Sequence, residues 1–167
     1  MNLNRRWQAF ILALFAILIL IARANALDMN DYRRLDKLQQ EYFQLEQDIL
    51  DVRKSSRPGE LVDCLNDLDA YVEQIDTKIG FISTLASIAF MMVDKSDEQT
   101  VLNELNHGGT YFFKYLENNR KAVNGLAGAC SWSKVVGAKA QEALRLFGEA
   151  NSLVRSMLPV TATTATR

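Results

Sequence analysis

The chain has 167 residues, with 19 basic and 20 acidic side chains and a formal net charge of −1. Charge so balanced and scattered leaves no electrostatic footprint for nucleic acid or another polyanion, and no run of five like charges occurs. The length is that of one domain with a real core, once the first segment is set aside.

Residues 1–26 read as an export signal. Arg5 and Arg6 supply a positive start, Trp7 to Ala22 is apolar apart from Gln8, and Ala24-Asn25-Ala26 places small residues where a signal peptidase cuts. The apolar run of 16 residues falls short of the ~20 that span a bilayer as a helix, so cleavage after Ala26 is the expectation. The alternative is an uncleaved N-terminal membrane anchor, the one case in which membrane contact is expected. Arg5-Arg6 lacks the rest of a twin-arginine motif and serves as ordinary leader charge. The remaining 141 residues carry a net charge of −4, and their destination is the periplasm or the extracellular space.

In the exported part, apolar residues recur at spacings of three and four, the period of a helix and not of a strand. The first helix is predicted over 28–54, on the stripe Leu35, Leu38, Tyr42, Leu45, Ile49 and Val52. Ser55-Ser56-Arg57 breaks the pattern, and Pro58, preorganised for a first helical turn, is expected to start the second helix over 58–93. Its stripe runs Leu61, Leu65, Leu68, Val72, Ile75, Ile79, Ile82, Ala86, Ala89 and Val93, a register strict enough for coiled-coil-like packing. Ser96 with Gln99 reads as a capping box for a third helix over 97–127, carrying Leu102, Leu105, Gly109, Phe112, Leu116, Asn119, Val123 and Leu126. Gly125 and Gly128 offer its stops, and Ser131 a cap for a fourth helix over 132–158. That helix carries Val136, Ala140, Ala143, Phe147, Ala150, Val154 and Met157. Pro159 ends it, and 159–167 is expected to be a disordered tail.

Connections of a few residues force neighbouring helices to run antiparallel. The predicted fold is therefore all-α: residues 27–158 form an up-down-up-down four-helix bundle. Cys64 and Cys130 test it independently. They are the only cysteines, and two cysteines in an exported chain most simply form one disulfide. Folding helix two back on helix three about Asp94–Ser96 brings them side by side at the far end of the hairpin.

Candidate chemistry is sparse. Glu104 and His107 make one Glu-x-x-His, but a di-metal bundle site needs that motif twice and His107 is the only histidine. On the helix-three stripe His107 also points outward. Covalent haem would need Cys-x-x-Cys-His, which is absent, and a non-covalent haem on His107 with Met91 or Met92 would need that histidine turned inward. No cofactor and no metal are expected. The stripes hold no carboxylate, lysine, arginine or histidine that could act as acid or base; Asn119 is their one strongly polar member, with the hydroxyl of Tyr42. A buried Asn in a bundle usually fixes register. Charged residues beside the core, such as Lys78, Arg120 and Lys121, leave an enzyme as the weakest of the readings.

Gly108-Gly109 inside helix three costs about 1 kcal/mol per glycine relative to alanine, so something should compensate. The hairpin register sets the pair against Leu85 and Ala86, where small residues let two backbones approach; a helix break acting as a hinge is the alternative. From Ile79 to Val93 helix two has no charge, and it carries a second apolar stripe, Phe81, Leu85, Ile88 and Met92, with Phe90 and Met91 beside it. Helix one, folded back about Ser56, is expected to reach only to about residue 85, which would leave this stripe exposed. Such a patch marks a contact surface unless the fourth helix covers it. The sequence thus points to an interaction or structural module working through a protein partner or self-association at the end of helix two. A carrier of a small apolar ligand, held in room left by the glycine pair and the alanine-rich fourth helix, is the alternative.

Intact mass of the exported protein checks the leader: cleavage after Ala26 gives a chain starting Leu27-Asp28-Met29, whereas a full-length mass in the membrane fraction means an anchor.

Overall fold

A computed structural model describes residues 29–91 and 95–158. The predicted leader (1–26), the tail (159–167) and the side chains of Phe90, Met92 and Val93 lie outside the described residues. The described residues form four helices, in order α1 Met29–Ser55, α2 Glu60–Met91, α3 Lys95–Ala129 and α4 Lys134–Met157. They are 24 to 35 residues long, roughly 36–52 Å at 1.5 Å per residue. Each packs on its chain neighbours and α4 closes back on α1, as an up-down-up-down bundle requires.

The stripes make the core. With Leu65 at heptad position a and Leu68 at d, the a and d residues of α2 from Leu65 to Ala89 are all buried. Leu35, Leu38, Tyr42, Leu45 and Ile49 of α1 meet them, as do Leu105, Phe112 and Val123 of α3. Tyr42 stacks on Phe147 of α4, ring centroids 6.2 Å apart. Each such leucine or isoleucine contributes about 1.5–3 kcal/mol by leaving water. The stripe of α4 is wider than its predicted line, because Leu146 and Leu153 beside it are buried too. Small residues at Ala140, Ala143 and Ala150 let α2 and α4 approach across the diagonal, whereas α1 and α3 do not meet.

Charged pairs between helices show the heights at which they pack. Arg53 of α1 donates to Asp69 (3.2 Å) and Asn66 (2.9 Å) of α2, and Lys139 of α4 reaches Asp48 of α1 at 2.6 Å. Across α2–α3, the Cys64–Cys130 disulfide closes with Cα atoms 6.4 Å apart, and the Lys78 ammonium lies 4.9 Å from the centre of the Tyr115 ring. The hairpin inferred from hydrophobic spacing and the cysteine pairing are both correct.

The helix ends differ from expectation. Pro58 does not open α2. Gly59 follows it at φ +147°, a conformation only glycine adopts without strain, and the Gly59 carbonyl accepts from the amides of Val62 (2.9 Å) and Asp63 (3.2 Å). The helix therefore starts at Glu60. The end of α1 is tied down by Ser55 and Ser56, whose hydroxyls both donate to the Val52 carbonyl. α3 is already helical at Lys95, so Ser96 stands inside its first turn, and it runs through Gly125 and Gly128 to Ala129. Neither glycine is a stop, because a helical glycine ends nothing unless the next residues favour a turn. The cap of α4 is Ser133, not Ser131: its side chain accepts from the Val136 amide at 3.3 Å.

Reducing the disulfide in the folded protein should lower its stability by about 2–4 kcal/mol, since the bond closes a loop across a separation of 66 residues. A downward shift of the urea midpoint with helical circular dichroism retained before the transition is the expected result.

Candidate functional site

The apolar flank of α2 is the candidate surface. Phe81, Ile88 and Met91 are 53 %, 36 % and 70 % exposed, and Leu85 is half-buried. The reach of α1 was underestimated. Gln39 of α1 lies beside Gly80, and Arg53 beside Asp69, so α1 extends along α2 to its end, and Ala86 and Ala89 are covered. The flanking stripe stays exposed for another reason: Phe81 and Ile88 sit at position c and Leu85 at g, which face α3 and not α1.

In antiparallel packing, g residues of one helix meet g residues of the next. On α2 and α3 these are Lys78 with Tyr115 and Leu85 with Gly108. The face is therefore shared between two helices. Tyr111 and Tyr115 of α3 continue it, 53 % and 43 % exposed, with His107 edge-on to Tyr111 at 5.0 Å. The sequence reading missed these tyrosines, although their c and g positions on the helix-three stripe were a sufficient signal once the two helices were taken as antiparallel.

Gly108 and Gly109 shape this region from below. A Cβ at Gly108 would lie 3.2 Å from the Phe81 ring and 3.9 Å from Leu85, so the missing side chain lets the phenyl ring lie down on α3. A Cβ at Gly109 would lie 2.6 Å from Leu158, which reaches in from the end of α4. The compensation is close packing, and α3 continues through the pair without a hinge. At the glycine pair itself the space is taken by Phe81 and Leu158.

Two open grooves lie elsewhere. One of about 400 Å³ between α1 and α4 is rimmed by Arg34, Lys37, Glu41, Arg145 and Glu149; another of about 510 Å³ between α3 and α4 is rimmed by Glu117, Arg120 and Arg155. Their charges are mutually engaged. Arg145 donates to both Glu41 and Glu149, and its hydrogen bond holds the Glu41 carboxyl below its ordinary range. The Arg120 hydrogen bond does the same for Glu117, and Arg155 lies 4.4 Å over the Phe113 ring while donating to Asn151. His107 is exposed, as its outward position predicted.

Among the described residues no group of three His, Cys, Asp or Glu has metal-binding geometry, and no helix is long and apolar enough to cross a membrane. No family model, curated protein or solved structure matches the chain.

The two glycines differ in sign. Gly108→Ala should stabilise by up to about 1 kcal/mol, because a helix-favouring methyl meets only a half-exposed ring free to swing outward. Gly109→Ala should gain less or lose, since its methyl drives into Leu158 at the end of the core. Urea midpoints of the two variants check the order.

Proposed function

We propose that this chain is an exported helical module that works through protein contacts on the shared face of α2 and α3. The observation that supports the reading is the exposed apolar surface formed by Phe81, Leu85, Ile88 and Met91 with Tyr111 and Tyr115. Single exposed apolar residues are ordinary on any protein; a run of them across two adjacent helices is not. Its composition also suits a contact. Tyrosine and phenylalanine bring large area with few rotatable bonds, and Lys78 and His107 stand against the tyrosine rings as polar members of the same surface. From Ile79 to Met91, α2 carries no charge whose burial would oppose association.

Position-specific charge separates contact from core. Phe81→Glu and Ile88→Glu should leave helical circular dichroism and the thermal midpoint nearly intact while abolishing association, read by sedimentation of the protein or its capture of a partner from its own compartment. Ile82→Glu, one residue along but fully buried, should unfold the bundle, because an unpaired buried carboxylate costs several kcal/mol against a total stability of ~5–15. If Ile88→Glu melts the protein as Ile82→Glu does, the stripe is structural and the reading fails.

A further inference from the structure

The opposite flank of α2 carries a different chemistry. Where α1 and α2 pack antiparallel, e positions meet e positions, and two rungs follow: Arg53 with Asp69 and Glu46 with Asp76. The first is an ion pair at 3.2 Å, which marks the register. One heptad further along, the same geometry sets two acids against each other. Tyr42 stands one helical turn from Glu46, at position a. It is fully buried, and of the charged groups around it Asp76 acts on its hydroxyl most strongly. Tyr42 Oη, Glu46 Oε1 and Asp76 Oδ1 are all shielded from solvent, and none has a hydrogen-bond partner among the described residues.

This arrangement is short of hydrogen atoms. The Tyr42 phenol donates to neither carboxylate, and two ionised carboxylates only accept, so the facing oxygens of Glu46 and Asp76 cannot satisfy each other. One added proton turns a carboxylate into a donor and removes the like-charge conflict at the same stroke. No neighbouring cation substitutes for it. The groups of α2 that act on Glu46 are Asp76, Asp69 and Glu73, all acidic. Arg53 of α1 is committed to Asp69 and Asn66. From α4, Arg145 and Glu149 act on Tyr42, but Arg145 is held between Glu41 and Glu149, while Lys139 is held by Asp48 and Glu142. α3 does not touch α1, and its Glu117, Arg120 and Lys121 pair among themselves.

We propose that Glu46 and Asp76, half-buried beside the core residue Tyr42, form a proton-binding site on the α1–α2 seam, and that loss of its proton loosens α1 from α2. Burial, followed by the charges of Asp76, Asp69 and Glu73, pushes the Glu46 carboxyl up to about 7, and burial raises Asp76 as well. Because the folded value of Glu46 lies above its ordinary one near 4.5, its stabilising contribution is complete below the ordinary value and is lost as pH rises through the folded one. Glu41, Asp48 and Glu117 are shifted downward, so their contributions disappear only on stronger acidification.

Three measurements on the purified protein test this. Its thermal midpoint should fall by roughly 3–6 °C from pH 5.5 to pH 8, whereas E46Q, which keeps a donor without the charge, should show no such fall and should melt above the parent at pH 8. Amide hydrogen exchange, corrected for its intrinsic pH dependence, should accelerate in α1 over that interval and not in α3. The carbon-13 carboxyl signal of Glu46 in the unmodified protein should titrate near pH 7, a readout that does not depend on any variant folding. A Glu46 midpoint below about 5, an unchanged pH slope in E46Q, or equal acceleration in α1 and α3 overturns the proposal.

Discussion

Because α2 keeps its core residues at strict three-four spacing from Leu65 to Ala89, it stands at one height against each neighbour. A slip by one residue would carry Ile75, Ile79 and Ile82 out of the core together, and a slip by a whole heptad would break the disulfide and the Arg53–Asp69 pair. Hydrophobic burial therefore sets the register, and the register in turn dictates which flanking residues meet. Lys78 over Tyr115, Leu85 over Gly108 and Glu46 against Asp76 are consequences of the same constraint. None of them is strong enough to impose it.

The two flanks of α2 consequently do opposite things. Toward α3 the flank is apolar and aromatic, and one glycine lets Phe81 lie against the neighbouring backbone. Toward α1 it is acidic, relieved at one rung by Arg53 and left in conflict at the next. A helix that served only to fill a core would gain by placing a lysine or an apolar residue opposite Glu46. Retaining two facing acids lowers the stability available at neutral pH, much as leaving Phe81 and Met91 in water does. Both features are costs to the fold, and costs are where function is most economically sought.

How far the sequence was legible follows from the range of each interaction. Helix number, direction and the cysteine pairing come from a periodicity repeated over many residues, so single errors average out. Helix ends rest on one or two groups, and there the reading slipped: Pro58 was credited with a start that Gly59 makes, and Ser131 with a cap that Ser133 supplies. Phe81 and Ile88 were expected to be exposed from a short reach of α1 that the structure does not have; their c positions on α2 leave them so instead. Tyr111 and Tyr115 required combining two helices, and Glu46 with Asp76 required noticing that both stand at e and that e meets e. Their unpaired oxygens could only be seen once burial was known.

The covalent link also decides how the molecule would respond to tension. Antiparallel topology brings the start of α1 and the end of α4 to one end of the bundle, so a pull on the two chain ends loads the outer helices crosswise, one turn at a time. α1 and α4 would peel away in small steps. The hairpin of α2 and α3 would then stop the extension, because its 66-residue span cannot lengthen while the Cys64–Cys130 bond holds. At ~3.3–3.6 Å per residue, that withholds roughly 220–240 Å of contour from the stretched chain. In an oxidising compartment the face carried by those two helices would stay the last part to come apart.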